Sequence, residues 1–202
     1  MRTRAALAAG AAVLALTAAG CGSSSPAPSA SGGGHAKTVN PNAPEVSPPG
    51  DIPDDQAFVA YSPPGAGYSV KVPEGWARTS SGAVTSFTDK LNRIQMQVVP
   101  AKGALSTAEA RRTELPKLAK RVAGYQAGKV SSVKRKAGMA VRMTYLARSP
   151  VDAVTGRSHT EAVERYVFFH AGKDVVLTLS GPKGADNVDP WKIVTDSLIY
   201  TR

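Results

Sequence analysis

Ala162-Val163-Glu164-Arg165-Tyr166-Val167-Phe168-Phe169-His170 runs into Ala171-Gly172-Lys173-Asp174 and then into Val175-Val176-Leu177-Thr178-Leu179-Ser180. β-Branched and aromatic residues fill both runs, and a short break containing glycine divides them, which is the pattern of a β-hairpin. In the first arm Val163, Val167 and Phe169 fall on one side, and Tyr166 and Phe168 on the other. Successive side chains of a strand point to opposite faces. Apolar groups on both sides therefore predict a central strand, covered above and below.

The same period recurs upstream. Met139, Val141, Met143 and Tyr145 alternate with Ala140, Arg142 and Thr144, which predicts a strand over 139–147. A weaker one precedes it over 126–134. Ile94, Met96 and Val98 point one way and Gln95 and Gln97 the other, so 93–99 pairs with 83–87 across the turn Asp89-Lys90-Leu91-Asn92. Phe58 to Tyr61 and Tyr68 to Val72 read as two further short strands, the second ended by Pro73-Glu74-Gly75. Trp76 then reads as a plug at the sheet's end, with the rim of a ligand site as the other reading.

Two segments carry the helical period. Ser106 with Glu109 fits a capping box, and Leu115, Leu118, Ala119 and Val122 form one stripe, so 106–123 is helical. Pro116 cannot donate to the carbonyl of Arg112, which predicts a kink or two short helices with Pro116 opening the second. Asp189-Pro190 opens the last helix as N-cap and first residue, with Trp191, Val194 and Leu198 as its buried stripe. The fold class is α+β, built on a mainly antiparallel sheet.

This domain occupies 57–202. Residues 21–56 form a tether: Gly, Pro and Ser supply 17 of the 30 residues in 21–50. Such a chain buries too little apolar surface to offset the entropy of ordering it. Its span as a flexible coil is roughly 30 Å. Residues 1–20 read as a leader. Arg2 and Arg4 are followed by an uncharged stretch from Ala5 to Ala19, too short for the ~20 apolar residues of a bilayer span.

Leu16-Thr17-Ala18-Ala19-Gly20-Cys21 resembles the lipobox of bacterial lipoproteins, with Ala18 where that pattern usually carries Leu. The resemblance implies cleavage before Cys21 and a diacylglyceryl group on its sulfur. The alternative is an ordinary secretory leader with Cys21 an incidental thiol. Two acyl chains, at ~0.8 kcal/mol per buried CH₂, suffice for stable anchoring, whereas one holds only marginally. The partner implied is the lipid bilayer, and the place is the outer face of the cytoplasmic membrane.

Chemistry-bearing motifs are sparse. The chain of 202 residues has one cysteine and three histidines (His35, His159, His170), with no His-x-x-x-His spacing, so a zinc site is not expected. Ser158, His159 and Asp152 could be assembled into a triad, yet no Gly-x-Ser-x-Gly elbow accompanies them. Gly181-Pro182-Lys183-Gly184 lacks the full phosphate-loop spacing and reads as a loop. No catalytic residue and no cofactor is assigned.

Charge carries more. The formal net charge is +10, and residues 102–148 hold 12 basic against 2 acidic groups. Arg111, Arg112, Lys117, Lys120, Arg121, Lys134, Arg135 and Lys136 form a candidate basic contact face. Anionic headgroups or wall polymers would attract it at ~1 kcal/mol per residue. A merely solvated face is the other reading. Export sets nucleic acid aside.

Gly67-Tyr68-Ser69-Val70-Lys71-Val72-Pro73-Glu74-Gly75-Trp76, Phe87-Thr88-Asp89-Lys90-Leu91-Asn92-Arg93-Ile94 and the closing hairpin with Trp191 resemble a PsbP-like domain, especially the LpqN-type lipoproteins of actinobacteria. The resemblance implies an α/β/α sandwich around an antiparallel sheet. It also implies a role in binding other macromolecules and no shared catalytic motif. The expectation is a non-enzymatic envelope lipoprotein that binds an envelope protein or an anionic envelope molecule. A lipid or glycolipid carrier with a cleft between sheet and helix is the runner-up, and an enzyme comes third.

Overall fold

The structure is a computed structural model that describes residues 48–201. The leader, Cys21 and the tether as far as residue 47 lie outside the described residues. The described chain has α+β architecture. A seven-stranded sheet has the order β3 (Ala77–Ser81), β4 (Val84–Asp89), β5 (Asn92–Pro100), β9 (Lys173–Pro182), β8 (Thr160–His170), β7 (Gly138–Arg148), β6 (Gln126–Arg135), and a three-stranded sheet the order β1 (Phe58–Tyr61), β2 (Tyr68–Pro73), β10 (Ile199–Tyr200). All pairings are antiparallel.

The central hairpin is β8 (Thr160–His170) and β9 (Lys173–Pro182). Its turn places Ala171 at φ 46° and Gly172 at φ 74°, the left-handed pair that a two-residue hairpin needs. β8 lies inside the sheet, between β9 and β7 (Gly138–Arg148), as its two apolar sides require. β6 (Gln126–Arg135) forms one edge; β4 (Val84–Asp89) and β5 (Asn92–Pro100) continue the other side. The outermost strand there, β3 (Ala77–Ser81), has every residue exposed. No hydrophobic alternation marks it in the sequence, and backbone pairing to β4 alone defines it.

Register fixes which side chains share a face. Ile94, Leu179 and Phe87 lie in one row across β5, β9 and β4, and Met96, Leu177 and Tyr166 in the next. This face carries the larger core. It is covered by β2 (Tyr68–Pro73), through Tyr68, Val70 and Val72, and by α3 (Val188–Asp196), through Trp191 and Val194. One layer of the sandwich is therefore a small sheet plus a helix. β1 (Phe58–Tyr61) and β10 (Ile199–Tyr200) flank β2 in that layer. Trp76 is buried in the same core, as is Trp191.

The opposite face is covered by helical chain. α1 (Thr107–Glu109) is capped by Ser106, whose Oγ accepts from the Glu109 N–H at 3.1 Å. A π-helical turn over Ala110–Glu114 follows, and then α2 (Leu115–Arg121) with Pro116 in its first turn. The wide turn meets the constraint at Pro116: the Leu115 N–H donates to the carbonyl of Ala110, five residues back. Ala110, Leu115 and Leu118 pack on Val130, Val141, Met143, Val167 and Val176.

Most element ends shift by one or two residues, and two boundaries differ with structural consequence. α3 spans Val188–Asp196, so Asp189 and Pro190 both lie within its first turn, and Leu198, read as part of its stripe, is buried just beyond its end. Asn187, the residue before it, gives its side chain to a distant partner. Its Oδ1 accepts from the Ile52 N–H at 2.8 Å, and its Nδ2 donates to the Gly50 carbonyl at 2.9 Å and to Asn92 Oδ1 at 3.0 Å. Asn92 Nδ2 donates to the same Gly50 carbonyl at 2.9 Å. Residues 48–56, which the sequence places with the tether, thus pack on the domain, and Ile52 is only 4% exposed. Gly50 adopts φ +96° here, and a Cβ on Gly181 would strike Asn92 and Asn187, so both glycines are required.

Asn187→Ala would leave buried donors and acceptors on both segments without partners. It is expected to lower unfolding free energy by ~2–4 kcal/mol, read by urea titration. A change below ~0.5 kcal/mol, within surface-substitution scatter, would show that this clamp contributes nothing.

Candidate functional site

The helix-covered face of the large sheet has two halves. Row by row, register places Thr88, Arg93, Ser180, Val163 and Tyr145 side by side across β4, β5, β9, β8 and β7. The adjoining row is Ser86, Gln95, Thr178, Arg165 and Met143. Both rows change from polar to apolar as they pass beneath the helical segment. The uncovered half forms a depression of about 310 Å³ where Val122 and Ala123, just after α2, meet the sheet. Arg93, Gln95, Arg148, Glu161, Thr178 and Ser180 are among its polar lining, and Pro150 with the buried Tyr145, Ala147 and Val163 among its apolar lining.

Charge and hydrogen bonding in this depression are specific. Arg93 faces Glu161 at 3.4 Å, and the Glu161 side chain is almost wholly buried. Arg165 donates to Thr178 Oγ1 at 3.0 Å, while its Nε is buried without a partner. Burial lowers the Arg165 guanidinium pKa, opposed by the neighbouring Tyr145 and by Glu114. The Tyr145 phenol is raised by burial, partly countered by Arg165. Tyr125 packs on Tyr145 with ring centroids 5.4 Å apart. Ser180 is 3% exposed, yet its Oγ has no hydrogen-bond partner.

The eight residues of the sequence-derived basic face do not share one surface. Arg112, Lys117, Lys120 and Arg121 lie along the helical segment, and Lys117 pairs with Glu114 at 2.7 Å. Arg111 ties that segment to the edge strand by donating to the Val130 carbonyl at 2.8 Å. Lys134 shares the alternation of Val130 and so the same side of the sheet. Arg135 lies on the other side. It donates to Thr195 Oγ1 at 2.9 Å and to Tyr166 Oη at 3.1 Å, and pairs with Asp196 at 3.8 Å. Tyr166 in turn donates to Glu164, which pairs with Arg142. Burial and Glu164 push the Tyr166 phenol up to about 12. Arg135 is thus an internal fastener between sheet and α3, which composition could not distinguish from a surface charge. Lys136 follows in the turn and lines an open groove of about 640 Å³ beside α3, with Lys71, Lys192, Ile193 and Ile199.

The residues weighed for catalysis are not assembled into a triad. Asp152 Oδ1 accepts from the Val154 and Thr155 N–H groups and from Thr155 Oγ1 within its own turn, and the Thr155 bonds lower its pKa. His159 Nε2 is buried without a partner. Gly181 and Pro182 end β9 against the asparagine clamp, and Lys183 follows with its N–H on the Thr160 carbonyl. Among the described residues no three His, Cys, Asp or Glu side chains group as metal ligands, and no helix is long and apolar enough to cross a membrane.

No family model and no curated protein matches the chain. Among solved structures it is similar to a Bacteroides thetaiotaomicron crystal structure (16% identity, 71% of this chain, TM-score 0.47), of which it spans 48%. It is similar to cyanobacterial PsbP from Synechocystis (15% identity, 72% of this chain and 93% of that one, TM-score 0.49). A third is LpqN of Mycobacterium tuberculosis, described as involved in cell envelope biogenesis (16% identity, 73% and 91%, TM-score 0.40). Likenesses this distant carry no argument about activity. The α+β class rests on the strand order and register themselves.

An unpaired buried hydroxyl costs ~1–3 kcal/mol. Ser180→Ala is therefore expected to leave the thermal midpoint unchanged or raise it. A loss above ~1 kcal/mol would show that this hydroxyl is satisfied in the folded chain.

Proposed function

We propose that this chain is a non-enzymatic binding module held at the outer face of the cytoplasmic membrane by acylated Cys21. The observation that carries the anchor is Ala18-Ala19-Gly20 directly before the chain's single cysteine, after an uncharged leader. The Gly/Pro/Ser-rich residues that follow give the module reach. Restraint is the mechanism: a short tether holds the module at raised effective concentration near envelope partners. The open polar half-face supports a binding role, because a domain that only needed stability would gain by covering or simplifying it.

A carrier of lipid acyl chains is less well supported. Such a site needs an apolar cavity of ~300–1,000 Å³. The depression between helix and sheet lies at the small end of that range, and its polar lining is two arginines, a glutamate, a glutamine, a threonine and two serines.

Expressed in a bacterium that acylates lipoproteins, the chain should yield an N-terminal peptide beginning at a lipid-modified Cys21, and Cys21→Ser should partition into buffer. An unmodified thiol on a buffer-soluble native chain would contradict the anchor.

Arg112, Lys117, Lys120, Arg121 and Lys134 add an electrostatic contact with anionic headgroups. The Cys21→Ser chain should sediment with anionic vesicles at low salt and be released as added salt shortens the screening length. Absence of low-salt binding would remove this contact.

A further inference from the structure

We infer that the depression walled by Arg93, Arg148, Ser180 and Tyr145 binds a hydroxyl-rich anion the size of one sugar ring. This inference rests on the reading of the domain as a binding module, and it names the class of ligand.

Strand spacing sets the width. Arg93 and Tyr145 stand three strands apart in one row, about 14 Å, with Ser180 and Val163 as the floor between them. The volume, about 310 Å³, suits one ring with its substituents.

Chemistry selects the ligand. Arg93 and Arg148 line the depression, Arg165 lies beside it in the next row, and Glu161 is the carboxylate of the lining. Glu161 is already engaged by Arg93, so the local balance favours an anion. A guanidinium carries five donors in a fixed fork, and one carboxylate contact leaves Arg93 capacity for a second oxygen.

Ser180 supplies the independent sign of a ligand. Its Oγ is buried and unpartnered, and the residue lines the depression. Native chains rarely leave such a group without a partner, and a hydroxyl can both donate to and accept from a ligand hydroxyl. Val122, Ala123 and Pro150, the more exposed apolar groups of the lining, offer a surface for the carbon face of a ring, backed by the buried Tyr145, Val163 and Ala147. A purely apolar ligand would strand the arginines, and a bare inorganic anion would leave that wall unused.

The test is calorimetric titration of the full chain in non-ionic detergent with D-glucuronate, a glucose phosphate, uncharged glucose and inorganic phosphate. Saturable binding of at least one charged sugar is expected, with glucose and inorganic phosphate each at least about tenfold weaker. The stronger of the two charged sugars identifies carboxylate or phosphate as the anion.

Arg148→Gln changes an exposed side chain and should weaken binding about tenfold. Ser180→Ala should weaken it several-fold, ~3–5 times, without lowering the unfolding midpoint. Equal affinity for inorganic phosphate, or for glucose, overturns the ligand class. Binding unaltered by both substitutions overturns the site. Absence of saturation by all four probes overturns the inference. Crosslinking of the anchored chain in native envelopes separates the two levels: a captured partner would leave the binding-module reading intact, and recovery of the bait alone would remove that as well.

Discussion

Residues that face each other in neighbouring antiparallel strands must share a side of the sheet, and this pairing constraint organises the whole domain. From β4 to β7 it forces Phe87, Ile94 and Leu179 together on one side and Arg93, Ser180 and Val163 together on the other. The first side meets β2 and α3 and is filled with apolar groups. On the second side a helix is about 10 Å across, and seven strands at ~4.8 Å spacing are about three times as wide. One helical segment cannot cover that width. The covered half is apolar and the open half is polar, and the depression lies at their border.

The same geometry explains the unusual helical segment. Ser106 starts it, Pro116 prevents a regular continuation, and a π turn absorbs the mismatch while keeping Ala110, Leu115 and Leu118 on the sheet. Arg111 then fastens this layer to the edge strand, as Arg135 of the same strand fastens α3, in the opposite layer, to the sheet. Two arginines counted together as surface charge therefore hold different layers. The basic groups left along α2 and at Lys134 lie on the helical side.

Much of the fold was legible because one side of most strands is buried. The alternation of Met139 to Tyr145 and of Ile94 to Val98 located β7 and β5, and Ala171-Gly172 located the central turn. β3 was not legible, since Ala77–Ser81 has no buried side and exists by backbone pairing alone. The role of Asn187 was hidden for another reason: its partner Ile52 lies 135 residues away, and a polar residue before a helix reads locally as a cap. The depression was half legible. Gln95 and Gln97 announced a polar side to β5, but only register brings Arg93 beside Ser180 and Ser180 beside Val163.

In the proposed function, anchor, tether and open half-face would act at different length scales, and only the last would recognise a ligand. Because the natural sequence holds one cysteine, a second can report on that surface. Gln95→Cys, lining the depression, and Thr79→Cys, on the exposed edge strand, would be alkylated in native envelopes and again after purification in detergent. Gln95→Cys is expected to be selectively protected in the envelope while Thr79→Cys reacts alike in both. Equal reactivity of Gln95→Cys in the two settings would contradict occupation of the polar half-face.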